Sequence, residues 1–300
     1  MIKNNTLKGI ILVGLGATSF GMLATFVKIA YKEGYTTAEI TISQFALGLI
    51  GLLIITRFQK SKNKNKITKA TPKNISQLIL AGTSIGLTSV FYYLSVKYIP
   101  VSIAIVLLMQ TVWIGLILEM IIERKKPSSQ KITAAIIVLI GTFLATNIFE
   151  NKIQMNWRGF AMGILAACSF TTTMFTANKV AIQISSAQRS LYMLIGGAII
   201  VFVFAIITQS TSFRYEIFLK WGILLSLFGT IIPPILMNSG FPLTGIGLGS
   251  IISALELPVS VFMSYTLLHE KVTFIQWTGI FLILLAIIIM NTNFKKKQHY

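Results

Sequence analysis

The sequence of residues 9–30 is GIILVGLGATSFGMLATFVKIA, and residues 159–181 follow the same pattern as GFAMGILAACSFTTTMFTANKVA. Both stretches have an opening glycine, an Ala-x-Ser-Phe motif and a closing triplet of Lys, a β-branched residue and Ala. A second pair of apolar stretches ends in Glu123-Arg124 and in Glu270-Lys271, and one more apolar segment follows each. The copies lie close to half of the 300-residue chain apart. The sequence is therefore predicted to contain two repeats.

The composition places these repeats in a membrane. Hydrophobic residues make up 54% of the chain and charged residues 11%, whereas a soluble domain carries about a quarter charged residues. A membrane-spanning helix needs about 20 apolar residues. Ten segments of that kind are predicted, which makes the fold an all-α integral membrane protein with ten transmembrane helices. They are residues 7–27, 38–56, 76–96, 100–122, 131–149, 158–178, 187–208, 220–238, 246–268 and 273–292.

Ten spans in two repeats give five spans per repeat, with the first repeat at residues 1–149 and the second at 150–300. Because five is odd, the second repeat must cross the membrane in the opposite direction to the first. Inverted repeats of this kind are typical of secondary transporters, which bind their substrate near the bilayer midplane between the repeats.

The basic residues predict the orientation. If the N-terminus is inside, 18 Lys and Arg residues fall on the inner side and 8 on the outer side, and an excess of positive loops marks the cytoplasmic side. A multi-pass protein of the cell (inner) membrane with both termini cytoplasmic is therefore expected. This distribution also explains the net charge of +18 without a nucleic-acid partner.

Several classes of function are disfavoured by residue usage. The chain has one Cys, two His and no Asp, so a disulfide framework, a zinc site and a Ser-His-Asp triad are not expected. The nucleotide-binding pattern G-x-x-x-x-G-K-[ST] does not occur. No cofactor, metal or enzymatic activity is predicted.

Two longer stretches carry a family resemblance. They are SVFYYLSVKYIPVSIAIVLLMQTVWIGLILEMIIERK at 89–125, followed by ITAAIIVLIGTFL, and GLGSIISALELPVSVFMSYTLLHEKVTFIQWTGIFLILLAIIIMN at 247–291. Both resemble the repeat ending of the EamA family in the drug/metabolite transporter superfamily. The resemblance implies export or exchange of small metabolites. It aligns Thr111 with Pro258, so a proline kink is expected only in the second repeat.

Glu256 is the residue most in need of an explanation. It lies in the apolar run SALELPVSVF at 253–262, where a carboxylate near the bilayer centre costs at least about 3 kcal/mol. We expect it to face a cavity, where it would bind a substrate amine or exchange a proton. The alternative is a neutral, hydrogen-bonded group that holds helices together.

Other polar and aromatic side chains in the spans are candidates to meet Glu256. Aromatic rings beside one carboxylate suit an organic cation or a zwitterion. Neighbours on a helix point about 100° apart, so at most one of the adjacent tyrosines is expected to face the cavity. The candidates are Ser19, Tyr92, Tyr93, Gln110, Trp113, Ser169, Thr173 and Asn238.

A further set is predicted to act in gating or structure. Glu123 and Glu270 would anchor helix ends or form contacts between the repeats. Pro258 would bend span nine, and the pair Pro233-Pro234 would break span eight and form a hinge.

Three other charged residues are read as structural. Glu119 is expected to reach towards the membrane surface or to pair with a basic loop residue rather than to bind substrate. Lys28 and Lys179, at matching positions in spans one and six, are expected to reach towards the membrane surface as anchors.

The leading hypothesis is a secondary transporter that exports a small organic metabolite, an amino acid or related amine, by alternating access. Its partners would be the substrate and the lipid bilayer, with proton coupling, exchange and facilitation all open. It would act as a monomer or homodimer. The alternatives are a membrane-embedded lipid-processing enzyme and a structural or sensory membrane protein.

Overall fold

The computed structural model describes residues 2–62, 68, 70–99, 101–146, 156–269 and 271–292. Every regular element in these ranges is a helix, and two short π-helical segments, π1 and π2, interrupt the later part of the chain. The elements are α1 (Ile2–Lys32), α2 (Thr37–Lys62), α3 (Pro72–Tyr98), α4 (Val101–Leu108), α5 (Thr111–Glu123), α6 (Ser129–Ala145), α7 (Trp157–Lys179), α8 (Ser186–Thr208), π1 (Phe218–Gly222), α9 (Ile223–Ser226), π2 (Leu227–Ile231), α10 (Ile232–Thr244), α11 (Ile246–Ser253), α12 (Glu256–Leu268) and α13 (Phe274–Thr292).

These helices form the predicted spans. Eight stretches in the described residues are long and apolar enough to cross a membrane, and two shorter apolar helices, Ser129–Ala145 and Phe274–Met290, complete the set of ten. Span four consists of α4 and α5, span eight runs from π1 to α10, and span nine consists of α11 and α12. The all-helical membrane fold with ten spans is thus confirmed.

The last three helices of each repeat begin at corresponding positions. Helices α4 and α5 begin at Val101 and Thr111, and α11 and α12 begin at Ile246 and Glu256, with the same ten-residue interval. Arg124 directly follows α5 and His269 directly follows α12, and both have a φ of 52°. Thr111 therefore corresponds to Glu256, which corrects the sequence-based pairing of Thr111 with Pro258.

The same register shows that the bend does not depend on proline. In the first repeat, the amides of Gln110 and Val112 donate to carbonyls three residues back. In the second repeat, those of Leu255 and Leu257 do the same, so both spans tighten for one turn. The helix is therefore interrupted at this position in both repeats, and not only in the one that contains the proline.

Packing interlocks the repeats. Helix α1 packs on α10 and α12, α2 on α8, α3 on α7 and α8, and α6 on α13. Glycines allow these close approaches, as expected for membrane helices. A Cβ atom built on Gly196 would lie 1.9 Å from the carbonyl oxygen of Ile79, and one on Gly279 would lie 2.4 Å from the amide nitrogen of Ala145.

The proline pair in span eight does not break the helix, contrary to the sequence-based expectation. Pro233 and Pro234 follow π2, in which the amide of Ile232 donates to the carbonyl of Leu227, five residues back. A proline lacks an amide donor and its ring crowds the carbonyl four residues earlier. The wider π turn accommodates the pair, and the helical path continues to Thr244.

Candidate functional site

A cavity of about 410 Å³ lies within the bundle and is lined by helices from both repeats. Its volume falls in the range of small-molecule sites. Most of its wall is apolar or aromatic, with polar groups at separate points. The polar and aromatic lining residues include Phe20, Lys28, Tyr31, Gln44, Phe45, Thr88, Ser89, Tyr92, Tyr93, Thr146, Phe170, Thr173, Thr230, Asn238, Phe241, Glu256, Ser260, Ser264, Lys271 and Gln276.

Glu256 is the only acidic residue among the described residues that line this cavity. It begins α12 directly after the tightened turn, where the helix N-terminus favours a negative charge. A Cβ atom on Gly21, near the middle of α1, would lie 2.5 Å from the backbone oxygen of Glu256. In the described part of the chain, its carboxylate has no hydrogen bond or ion pair. The side chain is thus available to a ligand near mid-membrane.

Tyr92 and Tyr93 both line the cavity, so the expectation that at most one of them would do so was wrong. Their ring centroids are 5.9 Å apart, and Tyr31 packs edge-on against Tyr93 at 6.4 Å. Neighbouring side chains on α3 point about 100° apart, so they could not both face a narrow cavity. This cavity is wider than one helix face and accepts two adjacent side chains.

Thr173 and Asn238 also line the cavity. The hydroxyl of Thr173 lies 2.7 Å from that of Ser84 on α3. The amide of Asn238 donates to Ser190 at 2.8 Å. Both side chains are held by neighbours at the wall.

Four predicted binding residues lie outside the lining. Ser19 is buried and donates to the carbonyl of Phe228 at 3.1 Å. Gln110 accepts from the Trp113 indole at 2.8 Å, and the Trp113 side chain is 40% exposed on the outside of the bundle. Ser169 is half-buried on α7. These residues lie on helix faces that do not line the cavity, and the sequence of an apolar span does not show which face points inwards.

The residues predicted for gating or structure have varied positions. Pro258 is buried in the first turn of α12, and Pro233 is buried while Pro234 lines the cavity. Glu123 is exposed at the end of α5, and its carboxylate has no hydrogen bond or ion pair within the described residues. Glu270 lies outside the described residues.

Sequence reasoning missed two cations of the cavity, Lys28 and Lys271. Lys28 was interpreted as a membrane anchor equivalent to Lys179. Both lysines are exposed, but only Lys28 lies among the described residues that line the cavity. The stripe Ala24, Lys28 and Tyr31, spaced by three or four residues, is a signal that could have revealed this face of α1.

The cavity reaches the end of the bundle formed by the α12–α13 connection, which we call the α12–α13 end. Lys271 in that connection, Ser264 near the end of α12 and Gln276 near the start of α13 all line it. The side-chain amide of Gln276 donates to the carbonyl of Ala145 at 3.2 Å.

At the opposite end of the bundle, which we call the α5–α6 end, the structure has an ion pair. Lys131 on α6 donates to the carboxylate of Glu119 on α5. The other oxygen of Glu119 accepts from the amide of Gly247 at 3.1 Å, at the start of α11. Of the two alternatives expected for Glu119, the structure shows pairing with a basic residue, although Lys131 lies on α6 rather than in the loop. The bond from Gly247 also joins the two repeats.

A second polar cluster, the polar clasp, joins the α1–α2 connection to the segment after α8. It consists of Glu33, Tyr35, Thr36, Glu39, Arg214, Glu216, Lys220 and Trp221. Sequence reasoning assigned no role to these residues.

Glu39 is the buried centre of the clasp, with 1% of its surface exposed. Its carboxylate accepts from the amides of Thr36 and Arg214, each at 2.7 Å. The first of these bonds closes a helix-capping box, because the Thr36 hydroxyl in turn accepts from the amide of Glu39. The second crosses from the first repeat to the second.

Glu33 forms the exposed part of the clasp. Its carboxylate accepts from the Trp221 indole at 2.8 Å and pairs with Lys220 at 2.9 Å. The indole hydrogen bond, followed by that from Lys220, holds the pKa of Glu33 below its ordinary value.

Tyr35 completes the clasp. It donates to Glu216 at 3.3 Å, and the guanidinium of Arg214 lies 3.8 Å from its ring centre. Burial, followed by the charge of Glu216, raises the pKa of the Tyr35 hydroxyl.

The described residues contain no group of three or more His, Cys, Asp or Glu side chains placed to hold a metal ion. The chemistry that the cavity offers is one carboxylate, two ammonium groups, hydroxyl and amide groups, and aromatic faces.

Two inverted five-helix repeats that enclose a central cavity define a multi-pass membrane protein with a transporter architecture. The EamA-like transporter family matches residues 7–147 and 157–292, so this chain belongs to that family. It is a membrane protein of the drug/metabolite transporter type, as the sequence resemblance indicated.

One solved crystal structure has the same fold. It is similar over 97% of this chain and 99% of its own, with a TM-score of 0.78 and 11% sequence identity. An identity this low shows the fold alone. No curated protein matches the chain in a sequence comparison.

Proposed function

We propose that this protein exports a small organic metabolite, an amino acid or related amine, across the cell membrane by alternating access. The observation that carries the proposal is the unpaired carboxylate of Glu256 in a cavity of about 410 Å³ between the two repeats. A carboxylate at this depth is costly unless water, a proton or a cationic ligand accompanies it. An ammonium group of the substrate would supply that compensation.

The walls support the same class of substrate. Tyr92, Tyr93 and Tyr31 offer aromatic faces to an ammonium group or to an apolar side chain. The hydroxyl groups of Ser89, Ser260 and others offer hydrogen bonds that fix orientation.

The two ends of the cavity support alternating access. With both termini cytoplasmic, as the basic residues predict, the α12–α13 end faces outwards and the α5–α6 end faces the cytoplasm. On this proposal the arrangement described above is the outward-facing state, and Glu119, Lys131 and Gly247 close the inner side. In the inward-facing state this closure opens and the α12–α13 end closes.

The alternative functions have less support. A membrane-embedded enzyme or lipid-processing protein would need acid–base or metal groups beside its substrate, and Glu256 is the only carboxylate among the described cavity residues. A purely structural or sensory protein gives no reason for a cavity of this size around an unpaired acid.

Counterflow in proteoliposomes tests the proposal, with a panel of amino acids and amines as candidate substrates. At least one compound should exchange, and Glu256→Gln should abolish or uncouple its transport while the protein remains monodisperse in detergent. Glu123→Gln removes a carboxylate from outside the cavity and is the matched control. Native counterflow by the Glu256→Gln protein would remove this residue from the mechanism, and no counterflow of any compound would refute the proposed function.

A further inference from the structure

Gln44 on α2 is a buried polar residue of the cavity wall, with 6% of its surface exposed. Glutamines in membrane helices usually hydrogen-bond a neighbouring helix, because an unpaired amide is costly away from water. In the part of the chain that the structure describes, the side-chain amide of Gln44 makes no hydrogen bond, although its backbone carbonyl accepts one from the Thr230 hydroxyl at 3.1 Å. The amide therefore does not hold helices together.

The amide of Gln44 is open to the cavity. The side-chain oxygen of Asn238 is fully buried without a hydrogen-bond partner, whereas the amide atoms of Gln44 keep accessible surface. Because Gln44 lines the cavity, this surface is available to a bound molecule. Water can pair with the amide while the cavity is open, and a substrate that displaces this water loses affinity unless it replaces the hydrogen bonds.

Gly229 leaves room for the amide at the depth of Glu256. A Cβ atom built on Gly229 would lie 2.4 Å from the amide nitrogen of Gln44 and 2.9 Å from Leu23 on α1. Leu23 lies two residues after Gly21, the residue that faces the backbone of Glu256, which is about 3 Å along the helix axis. Side chains two residues apart on a helix point about 200° apart. The two groups thus lie at nearly the same level, on either side of α1.

Resting on the proposed function, we propose that the Gln44 amide hydrogen-bonds a second polar group of the substrate while Glu256 binds its amine. The amide is neutral and can both donate and accept, so this second group can be a carboxylate, a hydroxyl or a carboxamide. The cavity thereby selects amines that carry a second hydrogen-bonding group. A site built to hydrogen-bond a substrate group rejects an analogue without that group more strongly than it rejects a change in apolar size.

The test is counterflow of the full-length protein with three forms of each amino acid that it carries. They are the amino acid itself, the amino alcohol in which a CH₂OH group replaces the carboxylate, and the alkylamine in which a methyl group replaces that hydroxyl. The native protein should carry the first two and reject the third. Gln44→Met should lower the preference for the amino alcohol over the alkylamine by about tenfold or more.

Methionine is a suitable replacement because the second repeat has it at the corresponding place. Gln44 lies seven residues after the start of α2 at Thr37, and Met193 lies seven residues after the start of α8 at Ser186. Met193 also lines the cavity. The substitution therefore removes the amide and keeps a side chain that this kind of wall accommodates.

Two further variants complete the test. Gln110→Met removes a glutamine from outside the cavity lining and should keep the native preference. Gly229→Ala keeps Gln44 but displaces its amide, and should lower the preference in the same direction. The preference is a ratio measured on one protein sample, so a smaller folded fraction does not change it.

An unchanged preference in Gln44→Met would overturn this inference and leave the transport function standing. Equal transport of the amino alcohol and the alkylamine by the native protein would do the same. A lack of counterflow with every compound would instead overturn the transport function on which the inference rests.

Discussion

Lys131 pairs with Glu119 at the α5–α6 end of the bundle, and the same carboxylate accepts a hydrogen bond from Gly247 at the start of α11. The positions that correspond to this pair in the second repeat are Gln276 and Ser264, which both line the cavity at the α12–α13 end. The register is secure because Ser128 accepts from the amide of Lys131, as Thr273 does from that of Gln276. The second repeat thus lacks this ion pair, and the cavity extends to the end of the bundle where the pair is missing.

We predict that the double variant Glu119→Ser with Lys131→Gln opens the cavity towards the α5–α6 end. The two substitutions introduce at the α5–α6 end the residue types that Ser264 and Gln276 supply at the α12–α13 end. They remove both charges together, so that neither charge is left buried without its partner. The measurement is labelling of a Ser260→Cys reporter by a membrane-impermeant maleimide added from the cytoplasmic side. Labelling should be slow with the native pair and several-fold faster in the double variant. Equal rates would show that this ion pair does not close the cavity.

Gly21→Ala is predicted to destabilise the protein and to impair transport. The added Cβ would lie 2.5 Å from the backbone oxygen of Glu256 and 2.8 Å from Val259, so α12 must move. Overpacking of this kind costs about 1–3 kcal/mol. Gly14→Ala, on the same helix, is the control, since its Cβ would be 3.4 Å from Leu255 in ordinary contact. Thermal unfolding in detergent should separate the two variants, and a native-like melting temperature for Gly21→Ala would contradict the close contact.

Glu39→Gln is predicted to destabilise the protein through the polar clasp. The buried carboxylate accepts from two backbone amides, and a carboxamide can turn only one oxygen towards them. Loss of one such bond costs about 1–3 kcal/mol. A lower midpoint of thermal or denaturant unfolding is expected, with a smaller change for Glu33→Gln at the exposed part of the clasp. Equal effects of the two substitutions would count against the structural role of Glu39.

The exposed part of the clasp is predicted to weaken in acid. The pKa of Glu33 is lowered in the folded protein, so its contribution to stability is present above the ordinary glutamate pKa and is lost as the pH falls through the lower, folded value. Trp221, whose indole donates to Glu33, reports this change through its fluorescence once the other three tryptophans are replaced by Phe. The transition should disappear in Glu33→Gln. A fluorescence transition at a pH above the ordinary glutamate pKa would contradict the predicted lowering of the Glu33 pKa.

Much of the fold could be predicted from the sequence because its signals are local. Apolar runs of spanning length, the repeated Ala-x-Ser-Phe motif and the basic loops indicate ten spans in two repeats. The capping boxes at Thr36–Glu39 and Thr273–Gln276 are local signals of the same kind, because each is a short sequence motif.

The site was predicted only in part, because it depends on which face of each helix points inwards. Glu256 could be identified because a carboxylate in the middle of an apolar span carries a free-energy cost that calls for a functional explanation. Trp113 and Lys28 could not be assigned in the same way, since spans that are apolar on all sides give a weak periodic signal. The partners of Glu39 and Glu119 come from distant segments, and only the packing of the repeats brings them together.

Substrate protection of a cysteine beside Glu256 tests the central claim most directly. The protein has one native cysteine, Cys168, which is exposed. Replacing it by Ser and introducing Ser260→Cys, one turn beyond Glu256 on the cavity wall, creates a single reporter. A transported amino acid should slow maleimide labelling of this reporter in proportion to its occupancy of the cavity. Labelling at the same rate with and without saturating transported substrate would place the binding site elsewhere.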